Sequence, residues 1–236
     1  MLDVTFLDRA VLLPPATLVV ADLHIGRAEA ARVDAPLGEH EDLAGRLDDV
    51  LGRAQPREVV FAGDVLHEFS RLSMSARDSL DALADACRAA GATPVMVAGN
   101  HDSVLASAWD GVVHDHYRVE TDVGDAVVCH GHEEPAVDDS DAPALYVVGH
   151  DHPAITIEGQ KRPCFLYGEG VYAGADLLVL PAFSRVAAGT VVNGRRSHEF
   201  QSPLVSDVDA LRPVVWDQSA AEALSFPPLG RFRRLL

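Results

Sequence analysis

Apolar runs of strand length alternate along this chain with amphipathic stretches of helical period, the βαβ rhythm of a layered α/β fold. From Ser75 to Ala90, the residues Leu80, Leu83, Ala84 and Cys87 recur at i, i+3, i+4 and i+7. That spacing puts them on one buried helix face, and Gly91 supplies the stop. A second helix is predicted from Glu39 to Ala54, ending before Pro56. Strands are predicted at Thr17 to Ala21, Glu58 to Ala62 and Thr93 to Ala98. After Gly111 the apolar runs shorten and are separated by Gly, Pro and Asp, which predicts a second, mixed or antiparallel sheet packed on the first. No linker, repeat or low-complexity segment interrupts the pattern, so residues 1–236 are expected to form a single domain. The last stretch, Phe226 to Leu236, is Pro-rich then Arg-rich and reads only as a tail or edge element.

Composition narrows the class. With 236 residues, slightly beyond the about 100–200 typical of a domain, and 48% apolar content, the chain can bury a sizeable core. Its longest apolar runs fall far short of the roughly 20 residues a membrane span needs, and no basic leader precedes an apolar stretch. A cytoplasmic location is expected, and Cys87, Cys129 and Cys164 are read as free thiols. The charge is extreme: 36 acids stand against 19 bases for a net charge of −17, and Lys161 is the only lysine. Such a charge either argues against a nucleic-acid partner or marks an adaptation to a salty, halophilic cytoplasm, where a Debye length of about 3 Å at molar salt removes long-range repulsion. The second reading is preferred, and the charge then says little about substrate.

The chemistry lies at the strand ends. Thr17 to Ala21 runs into Asp22 and His24; Glu58 to Ala62 into Gly63, Asp64 and His67; Thr93 to Ala98 into Gly99, Asn100, His101 and Asp102. Later, Val127 to Cys129 leads into His130 and His132, and Tyr146 to Val148 leads into His150, Asp151 and His152. In open α/β sheets the crevice beyond the carboxyl ends of strands binds ligands, so these ends can converge on one site. Carboxylate, imidazole and amide oxygen together suit Mn, Fe or Zn, and a shared carboxylate can hold two cations about 3.5–4 Å apart. Any one of these motifs is more often a turn or cap than a ligand. Five in order, each after an apolar strand, are not.

The order DxH, GDxxH, GNHD, HGH, GHxH resembles the calcineurin-like metallophosphoesterases. The segment that includes Leu180-Pro181-Ala182-Phe183 further resembles archaeal phosphoesterases related to the SbcD-type DNA nucleases. The resemblance implies a four-layer α/β/β/α sandwich of two packed mixed sheets flanked by helices. It implies that Asp22, His24, Asp64 and His152 hold one divalent ion and Asp64, Asn100, His130 and His150 the other. Mn²⁺ is the expected ion, with Fe, Zn, Mg and Ni compatible. On the same resemblance a metal-bound hydroxide attacks phosphorus, His101 protonates the leaving oxygen, Asp102 orients the His101 ring and His67 approaches the phosphate. His132 is read as a support or substrate contact, because His130 already fills the ligand position. Arg27 and Arg185 could grip a phosphate, but a salt bridge is the expectation in so acidic a chain. His40, His114, His116 and His198 are read as solvated and given no role.

Three functions fit these residues. The leading one is a phosphodiesterase or nuclease acting on DNA or a nucleotide; without the DNA-capping domain and helical segment of SbcD-type nucleases, a small or single-stranded substrate is the easier one. The second is a phosphomonoesterase for proteins or small molecules. The third is a non-catalytic binding module of the same fold, against which the full ligand set argues. The partner expected is a phosphate ester, with no membrane.

Overall fold

Strands buried on both faces need a covering layer on each side. In the computed structural model, which describes residues 4–27, 38–67, 72–121 and 124–233, the first sheet is built from such strands. β1 (Thr5–Leu7) and β2 (Ala10–Leu13) form an antiparallel edge on β3 (Thr17–Val20), which runs parallel to β4 (Glu58–Ala62), β5 (Thr93–Val97) and the short β6 (Val113–His114). Successive side chains point to opposite faces. Leu18, Val20, Val59, Phe61 and Met96 therefore pack outward, against the two helices α1 (Glu39–Ala54) and α2 (Met74–Ala89). Their alternates Val19, Ala21, Val60, Ala62, Val95 and Val97 pack inward against the second sheet.

The helices form for local reasons. Three acids, Glu39, Glu41 and Asp42, sit in the first turn of α1, where the helix dipole favours negative charge, and Gln55 closes it in the left-handed conformation at φ 45°. Leu43, Leu47, Val50 and Leu51 make its buried face. In α2 the Ser73 hydroxyl accepts from the Ala76 N–H at 3.1 Å, an N-cap, and Leu80, Leu83, Ala84 and Cys87 are the buried stripe. Arg46 of α1 is buried, paired with Asp8 and Asp42, its guanidinium 5.7 Å above the Phe183 ring.

The second sheet is mixed. β7 (His116–Val119), β8 (Ala126–Cys129), β9 (Leu145–Val148), β12 (Phe165–Tyr172), β13 (Ala175–Val179), β15 (Arg212–Asp217) and β16 (Glu222–Ser225) lie in the order β16-β15-β12-β13-β9-β8-β7. Here β9 runs parallel to both neighbours, β8 and β13, while the remaining pairs are antiparallel. Ala126, Val128, Leu145, Val147, Phe165, Tyr167 and Leu178 face the first sheet. Val127, Cys129, Tyr146, Val148, Leu166, Leu177 and Val179 face away. A small sheet covers part of that outer face: β10 (Pro153–Ile157) between β11 (Gln160–Pro163) and β14 (Thr190–Val191). Val192, Phe200, Leu204, Val205, Val208 and Leu211 cover more of it.

Two packed mixed sheets with helices on their flanks are thus present, as predicted, but the second flank is carried mainly by loops and the small sheet. Its α-helical part is the single turn α4 (Leu229–Phe232), α3 (Leu105–Ala108) being another short α-helix; α4 inserts Leu229 and Phe232 into the outer core. The segment that reads only as a tail therefore closes a layer, with residues 234–236 outside the described ones. Two apolar residues in one turn carry no period to detect. No helix among the described residues is long and apolar enough to cross a membrane.

Candidate metal centre

Every strand end singled out in the sequence arrives at the same edge of the sandwich. β3 delivers Asp22 and His24, β4 delivers Asp64, β5 delivers Asn100 to Asp102, β8 delivers His130, and β9 delivers His150 and His152. Main-chain bonds continue the ladder past the strands: Asp22 N–H to Gly63 O at 3.0 Å, His24 N–H to Asp64 O at 2.8 Å, and Ile25 N–H to Val65 O at 2.9 Å. The two sheets are joined here as well, by His150 N–H donating to the Asp22 carboxylate at 3.1 Å.

Reversing direction this tightly requires unusual backbone. Asp22, His24, Asp64, His150 and His152 have φ between 45° and 71°, five of the ten non-glycine residues with positive φ among the described residues. Such conformations are costly for residues with a Cβ, and their concentration at one place marks a site that the surroundings hold in shape. Gly99 belongs to the same construction: a Cβ there would land on the Asp64 backbone nitrogen and carboxylate.

Two groups of ligand atoms result. Asp22, His24 and His152 form one, Asp64, His130 and His150 the other, with the ligand atoms in each lying within 4.8 Å of one another. In the first, His152 Nε2 is 3.0 Å from Asp22 Oδ1 and 3.2 Å from His24 Nε2. In the second, His130 Nε2 is 3.1 Å from Asn100 Oδ1, 3.1 Å from His150 Nδ1 and 3.3 Å from Asp64 Oδ1. His130 Nδ1 faces the Ala62 carbonyl at 3.2 Å. Donation there leaves Nε2 as a lone pair, pointing at an amide oxygen and a carboxylate. Acceptors converging on acceptors in a buried place fit a cation. Asp64 also reaches the first group, its Oδ2 lying 3.8 Å from His24 Nε2.

The electrostatics agree. Burial, then the Asp22 charge, pushes the Asp64 carboxyl up to about 8. Burial also raises Asp22, but the His152 charge and hydrogen bond and the charges of His130 and His24 outweigh it, and the net shift is downward. Burial lowers His24 to about 3 and His130 to about 4, keeping both imidazoles neutral, the state in which they ligate metals. His152 moves the other way: burial lowers it, but the Asp22 charge and hydrogen bond together with the Asp64 charge outweigh burial.

His67 and His101 stand beside the first group. Their rings stack at 5.4 Å between centroids and 15° between planes, and both lie edge-on to His24. His101 Nε2 is 3.9 Å from Asp64 Oδ2, with its side chain about a quarter exposed. Burial, then the Arg27 charge, lowers both pKa values. Asp102 is buried, and its carboxylate accepts from the backbone N–H groups of Gly99 and Leu66 at 2.8 Å each and of Val65 at 3.2 Å. It ties the β4 and β5 loops together. His132 lies against His130, with centroids 5.3 Å apart, outside both ligand groups. Arg185 pairs with Asp42 at 3.1 Å. His40 and His198 are exposed, His114 and His116 half-buried.

One residue named at the strand ends has no role in the sequence reading. Asp151, between His150 and His152, is buried and accepts from the backbone N–H groups of Gln201 at 2.8 Å and Ser202 at 3.1 Å, anchoring the metal loop to a segment 50 residues away. Nothing local to Asp151 distinguishes it from a turn aspartate; only the approach of that distant loop reveals it.

The family model of calcineurin-like phosphoesterases matches residues 16–184, which contain every strand end described above. The chain belongs to that family. This calcineurin-like phosphoesterase is therefore a metal-dependent phosphoric ester hydrolase with a candidate two-metal site. Its fold is similar to that of the Pseudomonas putida nuclease MPE, with a TM-score of 0.60 at 24% identity over 90% of this chain and 91% of that one. The E. coli phosphoesterase Yfce matches at a TM-score of 0.47 and 13% identity, over 90% of this chain and 98% of that one. No curated protein matched the phosphoesterase.

Proposed function

We propose that this phosphoesterase hydrolyses phosphodiesters, as a nuclease or nucleotide phosphodiesterase, using two divalent ions. The observation that carries the reading is Asp64: one carboxylate oxygen faces the His130 group and the other faces His24, so a single side chain spans two buried ligand sets. Asp22, His24, His152 and Asp64 would hold one ion, and Asp64, Asn100, His130 and His150 the other. The mixed carboxylate, imidazole and amide set suits Mn²⁺. Bound there, the ions supply Lewis acidity and a nucleophile at neutral pH.

The chain's own residues supply the rest. His101 presents Nε2 at the rim of the site, 3.9 Å from Asp64 Oδ2 and about a quarter exposed, placed to give a proton to the leaving oxygen. His67, stacked on His101, is placed to contact the phosphoryl oxygens. Asp102 would hold His101 in register through the loop it braces, since its carboxylate oxygens are engaged by main-chain donors. The diester preference draws on the nuclease activity named for the Pseudomonas putida neighbour.

The test is the initial rate on a chromogenic phosphodiester beside its monoester, with Mn²⁺, using His101→Ala as the blank. The expected result is a diester preference that falls by roughly 10²–10⁴-fold in the variant, while metal analysis still finds close to two ions per chain. A monoester preference would make the protein a phosphomonoesterase. A fully active variant would remove His101 from the proton step.

A further inference from the structure

Beside the metal centre, on the His152 side, lies a cavity of about 220 Å³, far beyond the roughly 10–15 Å³ that one water needs. Its polar lining is of one sign. Arg9, Lys161 and Arg185 contribute to the wall and no acidic side chain does, in a chain where acids outnumber bases 36 to 19. The only lysine of the protein is one of the three.

Each cation is held in place by the main chain or by a weak pair. Arg9 donates through Nη1 to the Ala182 carbonyl at 2.9 Å and the Ser184 carbonyl at 2.8 Å, the loop that leaves β13 toward the site. Lys161, on β11, donates to the Ala188 carbonyl at 3.0 Å. Arg185 pairs with Asp42, but its side chain is 65% exposed, and an exposed pair is cheaply exchanged for another anion. The charges are crowded: burial, then the nearby Arg46, lowers the Arg9 pKa to about 10, with Arg185 adding to the effect against the opposing pull of Asp8 and Asp42. The remaining wall is small-sided. Gly189 approaches so closely that a Cβ there would come within 2.9 Å of the His152 carbonyl, which keeps the basic wall tight against the metal loop. Arg9 and residues 185–189 lie outside the segment that the family model matches, while Lys161, Pro181 and Ala182 lie inside it, so the cavity straddles the end of that segment.

We propose that this cavity is a second phosphate subsite, which takes the phosphate next to the scissile one in a polynucleotide strand. The subsite rests on the phosphodiesterase reading above and narrows it to substrates with more than one phosphate. A guanidinium and an ammonium grip a phosphate by charge-assisted hydrogen bonds, while the metals hold its neighbour. A single-phosphate ester leaves the subsite empty.

The experiment compares Lys161→Glu/Arg185→Glu with Arg53→Glu/Arg88→Glu, matched in net charge. Arg53 and Arg88 lie in the last turns of α1 and α2, at the opposite end of the sheet from the metal loops. With Mn²⁺ at low ionic strength, kcat/KM is measured on pentathymidylate and on a single-phosphate chromogenic diester. The ratio of the two is expected to fall about tenfold or more in the first variant, the worth of one charge-assisted hydrogen bond, and to stay at the wild-type value in the second. Binding of fluorescent pentathymidylate to Mn²⁺-loaded His101→Ala, with and without the Lys161→Glu/Arg185→Glu pair, gives a readout that needs no turnover. The pair is expected to raise its Kd about tenfold or more. Unchanged binding and an unchanged ratio would overturn the subsite, as would an equal fall in the charge-matched control. Weakened binding in a protein that cleaves no diester would instead keep the subsite and remove the phosphodiesterase reading.

Discussion

Asp64 is the residue on which the two ligand groups depend. Its Oδ1 lies 3.3 Å from His130 Nε2 and its Oδ2 3.8 Å from His24 Nε2, and the same Oδ1 accepts from the His101 N–H at 3.0 Å. One carboxylate thus joins both groups and steadies the main chain at His101. Asp64→Ala is expected to leave well under one ion per chain by metal analysis, whereas Asn100→Ala, which touches only the His130 group, is expected to keep the first ion. Equal retention of metal in the two variants would show that Asp64 is not shared. Burial, then the Asp22 charge, pushes the Asp64 carboxyl up to about 8, a cost that a bound cation would offset by favouring the ionised form.

At the scale of elements, the site is made by loops that the strands aim and the glycines let through. A Cβ at Gly99 would meet the Asp64 backbone, and one at Gly63, whose φ is 78°, would meet the His130 ring. These positions are narrow because the β4 and β5 loops and the second sheet close on each other there. Gly99→Ala should therefore push Asp64 away from His130. The expected cost is about 1–3 kcal/mol, as for other overpacking, seen as a Tm lowered by roughly 2–4 °C per kcal/mol, together with loss of the second ion. A variant with wild-type Tm and two ions would mean that the loops have slack that their packing does not show. Asp102 and Asp151 do the complementary work, each tying a metal loop to another loop through two or three main-chain N–H groups.

At the scale of the whole molecule, the metal centre sits where the two sheets meet, so occupancy and folding are linked. Ions that bind only the folded chain add about 2.7 kcal/mol for a site at a hundred times its Kd. Chelation is expected to lower Tm by about 5–10 °C, from that energy and roughly 2–4 °C per kcal/mol, and re-addition of Mn²⁺ to restore it. Coincident melting curves with and without chelator would mean that no such site forms in the folded state. What the sequence by itself determined was the periodic part: the helix Glu39–Ala54 to the residue, the buried face of α2, the central strands β3, β4 and β5 of the first sheet to within a residue, and the ligand motifs at their ends. Those signals are local, because side-chain alternation and helical period are set by the backbone. The tertiary structure alone decided the small sheet around β10, the docking of α4, the bracing by Asp102 and Asp151, and the basic cavity beside His152. Each of these joins residues far apart in the chain through main-chain groups or single side chains, and such contacts leave no period in the sequence to read.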